Sequence, residues 1–177
     1  MPVAQATLIS NFLGRPAPPI RRWSRLRLPH GQIARSAWKE TESSAEFIQI
    51  SRNVKFRRND VDEFTEVLYF TQLADDEDDE IPKLTWANVA MISVYSRPDQ
   101  QLLDLSHGTV WSCTHDKELQ LIDVRMITAV IAMIPHRPTL PSGVTEDRYF
   151  MVEKTGLDVT LTGVEVEEDD QEEQEDQ

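Results

Sequence analysis

The strongest constraint on the fold is a period of two. From Phe47 to Arg58, Ile48, Ile50, Val54 and Phe56 share one parity, while Gln49, Ser51, Asn53, Lys55 and Arg57 share the other. That alternation belongs to a strand with one face buried, and only Arg52 breaks it. Glu63 to Leu73, rich in Val, Thr, Phe and Tyr, predicts a second strand, joined to the first through Asn59 to Asp62, whose Asn and Asp residues suit a turn. If that four-residue loop sets the register, Val54 faces Val67, Ile48 faces Leu73, Lys55 faces Glu66, Arg58 faces Glu63 and Arg52 faces Tyr69. Opposite charges then meet across the strands and Arg52 meets an aromatic face, so the basic half of the hairpin needs no outside partner.

Further short apolar runs follow at strand length. Trp86 to Tyr95 is almost continuously apolar from Val89, as in a strand covered on both faces. Thr109 to His115, Leu119 to Val124, Met126 to Ile134 (ended by Pro135) and Tyr149 to Lys154 continue the series, and Leu157, Val159 and Leu161 alternate with Asp158, Thr160 and Thr162. One change of period interrupts them. In "SRPDQQLLDLSHG", Ser96 is an N-cap candidate, Asp99 lies three residues on, and Gly108 is a stop, which predicts a helix of two or three turns. The fold class expected is mainly β: a small barrel or sandwich of about seven or eight short strands with one short helix.

The ends differ from the middle. Residues 1–30 hold five prolines and the cluster Arg21, Arg22, Arg25 and Arg27 without sustained periodicity, and read as a flexible basic arm. Residues 31–163 form the globular domain. From 164 onward the chain is an acidic disordered tail; "EVEEDDQEEQEDQ" carries nine acids. The net charge of −13 therefore hides a polarity: the first 58 residues hold eleven Lys and Arg against Glu40, Glu42 and Glu46, a net +8, and the remainder carries −21. An acidic protein can still meet a polyanion if its cations are segregated.

No catalytic motif emerges. Ser106 and His107, with Asp104 nearby, are neighbours at a helix end without a G-x-S-x-G elbow, and triad members come together through the fold. His107, Cys113 and His115 offer a partial metal set, but Cys113 shares a parity with Trp111 on a half-buried strand and reads as a small core residue. "DDEDDE" at 75–80 lacks the glycine and ligand spacing of a calcium loop. With six glycines there is no G-x-G-x-x-G or P-loop. The reading is a non-enzyme with no cofactor, no metal and no small-molecule substrate. One cysteine permits no internal disulfide, and no run reaches a bilayer-spanning length, so an intracellular setting, nuclear given the basic cluster, is expected without a membrane partner.

Candidate binding residues are Arg21, Arg22, Arg25, Arg27, Arg35, Trp38 and Lys39. "RRWSRLRLPHGQIAR" has the composition of a nucleic-acid or import-receptor patch, and Trp38 in "ARSAWKE" lies among basic residues. Most other aromatics read as core. A basic arm folded onto the chain's own acidic tail accounts equally for the charge layout.

"LRLPHGQIARSAWKE", "RNVKFRRNDVDEFTEVLYF", "VAMISVYSRPDQQLLDLSHGTVWSCTH", "LQLIDVRMITAVIAMIPH" and "YFMVEKTGLDV", in that order, resemble the C-terminal segment of transposon-encoded proteins of basidiomycete fungi, of the Plavaka and related Kyakuja-Dileera-Zisupton kind. The similarity runs from about Leu26 to Val159. It implies a DNA transposase whose catalytic acids and cysteine clusters lie in preceding regions, so no catalytic role passes to a residue here. Tyr95, Arg97 and Pro98 also resemble a stretch of the bromo-adjacent-homology barrel of chromatin proteins. That likeness implies a β-rich module that binds proteins or nucleosomes. Together these give an interaction module for DNA or chromatin protein; the alternative is an inactive folded remnant of a transposase-like protein.

Overall fold

The computed structural model describes residues 1–40, 51–75 and 85–153. Residues 47–50 of the first predicted strand, the acidic loop beyond Asp75, the alternating segment from Leu157 and the acidic tail lie outside them.

The fold is mainly β. In chain order it comprises α1 (Val3–Leu13), β1 (Arg22–Trp23), β2 (Arg25–Arg27), β3 (Ile33–Arg35), α2 (Ala37–Glu40), β4 (Asn53–Arg58), β5 (Val61–Asp75), β6 (Thr85–Tyr95), α3 (Gln100–Leu105), β7 (Ser112–Cys113), β8 (His115–Asp123), a 3-10 turn (Val124–Met126), β9 (Ile127–His136) and β10 (Arg148–Glu153). One antiparallel sheet runs β7-β10-β9-β4-β5-β6-β8, with β1 added along β5, and β2 and β3 form a separate two-stranded ribbon.

The main sheet curls like part of a barrel. Tyr95 of β6 meets the Tyr149 ring of β10 at 5.5 Å, and Phe64 of β5 meets Trp111 at 5.8 Å, although β6 and β10 stand four steps apart in the strand order. Only a sheet that bends its inner face toward itself allows that. That inner face buries Phe64, Tyr95, Cys113, Ile131 and Met133 at one end and Tyr69, Leu73, Val89 and Met91 at the other. The chain from β7 to β8 begins on one edge strand and ends on the other, a route that limits exposed edges.

Strand alternation sends Val54, Phe56, Val67, Ala90, Ile92 and Val130 to the outer face, where Leu26, Leu28 and Ala34 of the ribbon segment, with Val124 and Met126, cover them. Both faces being covered explains why β6 is so continuously apolar.

The hairpin of β4 and β5 forms in a different register from the expected one. Asn59 (φ 49°) and Asp60 (φ 62°) both take left-handed backbone, the geometry of a two-residue primed turn, which suits the twist of the strands better than a four-residue loop. Arg58 therefore pairs with Val61, Lys55 with Phe64 and Val54 with Thr65. The shift is two residues, so every side chain keeps its face while its partner changes. Arg52 does not reach Tyr69; it is held by Glu66 and Glu40, and the ring of Tyr69 lies beneath Arg22 instead.

Residues 1–30, expected as a flexible arm, hold α1 and the first strands and pack partly on the sheet. Pro2 stands at the N-cap of α1, and Gly14 (φ 65°) closes its C-terminus, so the breakers bracket the helix and leave its interior free. Ile9 is fully buried, and Leu8 and Leu13 pack with it on the inner end of the sheet. Arg15 then donates to the carbonyl of Ala74 at 3.0 Å, and the amide of Ala17 donates to Ser10 Oγ at 2.9 Å. The short helix also starts later than expected. Asp99, not Ser96, caps α3 by accepting from the amide of Leu102 at 3.0 Å, while Ser96 Oγ accepts from the amide of Thr114. Pro135 does not end β9, which continues to His136; the ladder to β4 has already stopped there, so the missing N–H is not needed.

Candidate functional site: a basic ribbon with stacked aromatics

All seven candidate residues fall on β1, β2, β3 and α2 or directly beside them. β1 adds to the sheet through Arg22 opposite Thr71 and Trp23 opposite Phe70, and Thr71 Oγ1 donates to the carbonyl of Arg21 at 2.9 Å. After a bend at Ser24 the chain turns into the ribbon, where Arg25 stands opposite Arg35, Leu26 opposite Ala34 and Arg27 opposite Ile33. Leu26 and Ala34 face the core, so Arg25, Arg27, Arg35 and the exposed Ile33 share the outer side. Lys39 is exposed on α2, whose first turn is closed by amide bonds to the carbonyl of Ser36.

Aromatic rings organise the first part of the cluster. The Arg22 guanidinium stacks over Trp38 at 4.4 Å and over Tyr69 at 5.7 Å, and Arg21 lies over Trp23 at 5.9 Å. Such contacts stabilise a cation without neutralising it. Trp38 is half-buried under this stack. Burial raises the Tyr69 phenol above its ordinary pKa while the nearby Arg22 charge opposes the rise. A pocket of about 360 Å³ opens here, lined by Pro18, Pro19, Ile20, Arg22 and Tyr69 among others.

Several cations elsewhere are held by acids. Arg52 is paired with Glu66 at 2.7 Å and Glu40 at 3.2 Å, Lys55 with Glu153, Arg57 with Asp62 at 2.9 Å, Arg125 with Asp123 at 2.5 Å, and Arg148 with Glu146 at 2.6 Å and Asp99 at 3.2 Å. Arg58 donates to Gln120 at 2.8 Å. The basic half of the hairpin thus answers the protein's own acids, through partners that differ from the predicted ones. Among the described residues, the exposed guanidinium groups of Arg25 and Arg27 meet no carboxylate.

An interior polar group escaped the sequence reading. Ser93 Oγ and His115 Nε2 lie 2.9 Å apart, His115 stacks on Tyr95 with centroids 4.4 Å apart, and the Tyr95 hydroxyl donates to Asn53 at 3.2 Å. A second pair, Ser112 Oγ and His136 Nε2, is also 2.9 Å apart. Burial lowers the pKa of both histidines. Among the described residues no carboxylate is hydrogen-bonded to either ring, and Ser93 and Ser112 are buried. Only strand adjacency in space brings these residues together, and no spacing in the chain signals it.

The earlier candidates for chemistry are placed as follows. Ser106 Oγ donates to the carbonyl of Leu103 and accepts from the amide of Val110, closing α3, and His107 is exposed at φ 52°. Cys113 is fully buried among Phe64, Ile131 and Met133, and desolvation pushes its thiol up to about 12. Tyr95 is a buried core residue, whereas Arg97 is exposed and Pro98 leads into α3. Among the described residues no helix is long and apolar enough to cross a membrane.

Fold and site together define a curled antiparallel sheet that carries a cationic, aromatic-backed ribbon on one flank. No known family, curated protein or solved structure matches the chain.

Proposed function

We propose that the protein is a non-catalytic interaction module, derived from a fungal transposon protein, that acts in the nucleus by binding DNA through the ribbon of β1 to β3. One observation carries this reading: among the described residues the exposed Arg25 and Arg27 guanidinium groups meet no carboxylate, whereas Arg52, Lys55, Arg57, Arg125, Arg137 and Arg148 each do. Arg25 and Arg27 moreover share one exposed side of β2. Phosphate oxygens suit that place, because a guanidinium offers them a fixed fork of donors. The stacked Arg21 and Arg22 would flank the same backbone, held in position by Trp23, Trp38 and Tyr69. Chromatin protein is the less favoured partner, since the ribbon presents charge with little apolar surface beyond Ile33.

The test is the salt dependence of binding to a short duplex. Each phosphate contact contributes about 0.9 to the slope of log affinity against log salt, so Arg25→Ala with Arg27→Ala should lower that slope by roughly 1.8. Arg57→Ala, whose charge Asp62 already holds, should leave it unchanged. An unaltered slope in the double variant would overturn the reading and leave the alternative, a folded remnant with no activity of its own.

A further inference from the structure

Beside the ribbon the outer face of β5 and β6 emerges from under its cover. Phe70 pairs with Ala90, Gln72 with Asn88 and Ala74 with Trp86, all on one face by strand alternation. Phe70 and Ala90 are buried beneath the ribbon segment, but Gln72 and Asn88 are exposed and Trp86 is 55% exposed. A pocket of about 360 Å³ occupies this step, lined by Trp23, Arg25, Leu26, Phe70, Thr71, Gln72, Asn88 and Val124. Its size lies near the lower end of the range for small-molecule pockets, about 300 to 1,000 Å³.

Three features of this place act on the same kind of group. Trp23, 36% exposed, supplies a flat wall of the pocket, while Trp86 follows on the same face outside the lining. Gln72 Nε2 donates to Asn88 Oδ1 at 2.8 Å, which uses one amide NH₂ and one amide oxygen and leaves one of each unused. A donor and an acceptor side by side match the hydrogen-bonding edge of a base. Arg25 is part of the lining, and among the described residues no carboxylate lines the pocket.

We infer that this pocket is a subsite for an unpaired nucleobase, so that the nucleic acid on the ribbon is single-stranded at this point. The inference rests on the phosphate-binding reading above and adds the form of the strand. A base stacks on Trp23, its edge meets the Gln72 and Asn88 amides, and its phosphate lies toward Arg25 and Arg27. In a duplex that edge is occupied by the pairing base and the ring by its stacked neighbours, so paired DNA gains the phosphate contacts only.

The experiment compares the full chain with Trp23→Ala, Gln72→Ala and the Arg25→Ala/Arg27→Ala pair, measuring affinity for a single-stranded oligonucleotide and for a duplex of the same length at fixed salt. Trp23 and Gln72 are exposed, so both single variants keep the core. Loss of the Trp23 ring should weaken single-strand binding by roughly five- to a hundredfold and duplex binding far less, and Gln72→Ala should weaken the single strand alone. The arginine pair should weaken both forms. If Trp23→Ala and Gln72→Ala leave single-strand affinity unchanged while the arginine pair weakens both forms, the subsite is refuted and the phosphate reading stands. If neither form binds, or the arginine pair has no effect on either, both readings fail.

Discussion

Arg52 offers the sharpest test of how this protein uses its charge. Its guanidinium lies 2.7 Å from Glu66 and 3.2 Å from Glu40, and Glu40 is only 5% exposed. Glu40 has one other described support, the amide of Ser51 at 3.2 Å. Replacing Arg52 by Ala leaves a buried carboxylate without its cation and a second one half-served. Breaking a fully buried pair from one side costs about 3 to 5 kcal/mol. Arg52 is 32% exposed, so water recovers part of this, and the expected loss is about 2 to 3 kcal/mol. With a urea m-value of about 2 kcal/mol per M, the unfolding midpoint should fall by about 1 to 1.5 M without a change in m. Arg57→Ala is the control: 57% exposed and paired only at the surface, it should leave the midpoint nearly unmoved. A double-mutant cycle of Arg52→Ala with Glu40→Gln should return a coupling above about 1 kcal/mol. If Arg52→Ala shifted the midpoint no more than Arg57→Ala, the hairpin cations would not be committed to internal acids, and the contrast that singles out Arg25 and Arg27 would lose its basis.

Two further outcomes follow from burial. Ile9→Ala should destabilise the protein by about 2 to 5 kcal/mol in chemical unfolding, because Ile9 is fully enclosed between α1 and the sheet; a cost near zero would mean that the N-terminal segment is not docked in solution. The Cys113 thiol, held up at about 12 inside the core, should resist a disulfide reagent at about pH 8 in the folded protein and react promptly in denaturant; stoichiometric labelling of the folded chain would contradict its placement.

The alternation of Val54 and Phe56 with Asn53, Lys55 and Arg57, and the unbroken apolar run of β6, were enough to predict a mainly β fold and to assign these residues to faces. That information is local: strand periodicity places alternate side chains on opposite sides whatever the strand pairs with. The candidate arginines and Trp38 were also legible, because composition along the chain marks them. Their state was not. Whether an arginine is neutralised depends on which acid the fold carries to it, and Arg52 finds Glu40 and Glu66 where a hairpin argument offered Tyr69. The docking of residues 1–30 was hidden for a related reason. Leu8, Ile9, Leu13, Leu26 and Leu28 sit too irregularly among prolines to form a period, and the surfaces that bury them exist only after β5, β6 and β8 have assembled. The Gln72 and Asn88 pair, Ser93 beside His115, and Trp23 in the same pocket as the amides belong to the same class. The linear order of residues therefore decided which strands form and which way they face, whereas register, cation pairing and the exposed pocket were decided by tertiary contacts, since each joins residues that only the curled sheet brings within hydrogen-bonding or stacking distance.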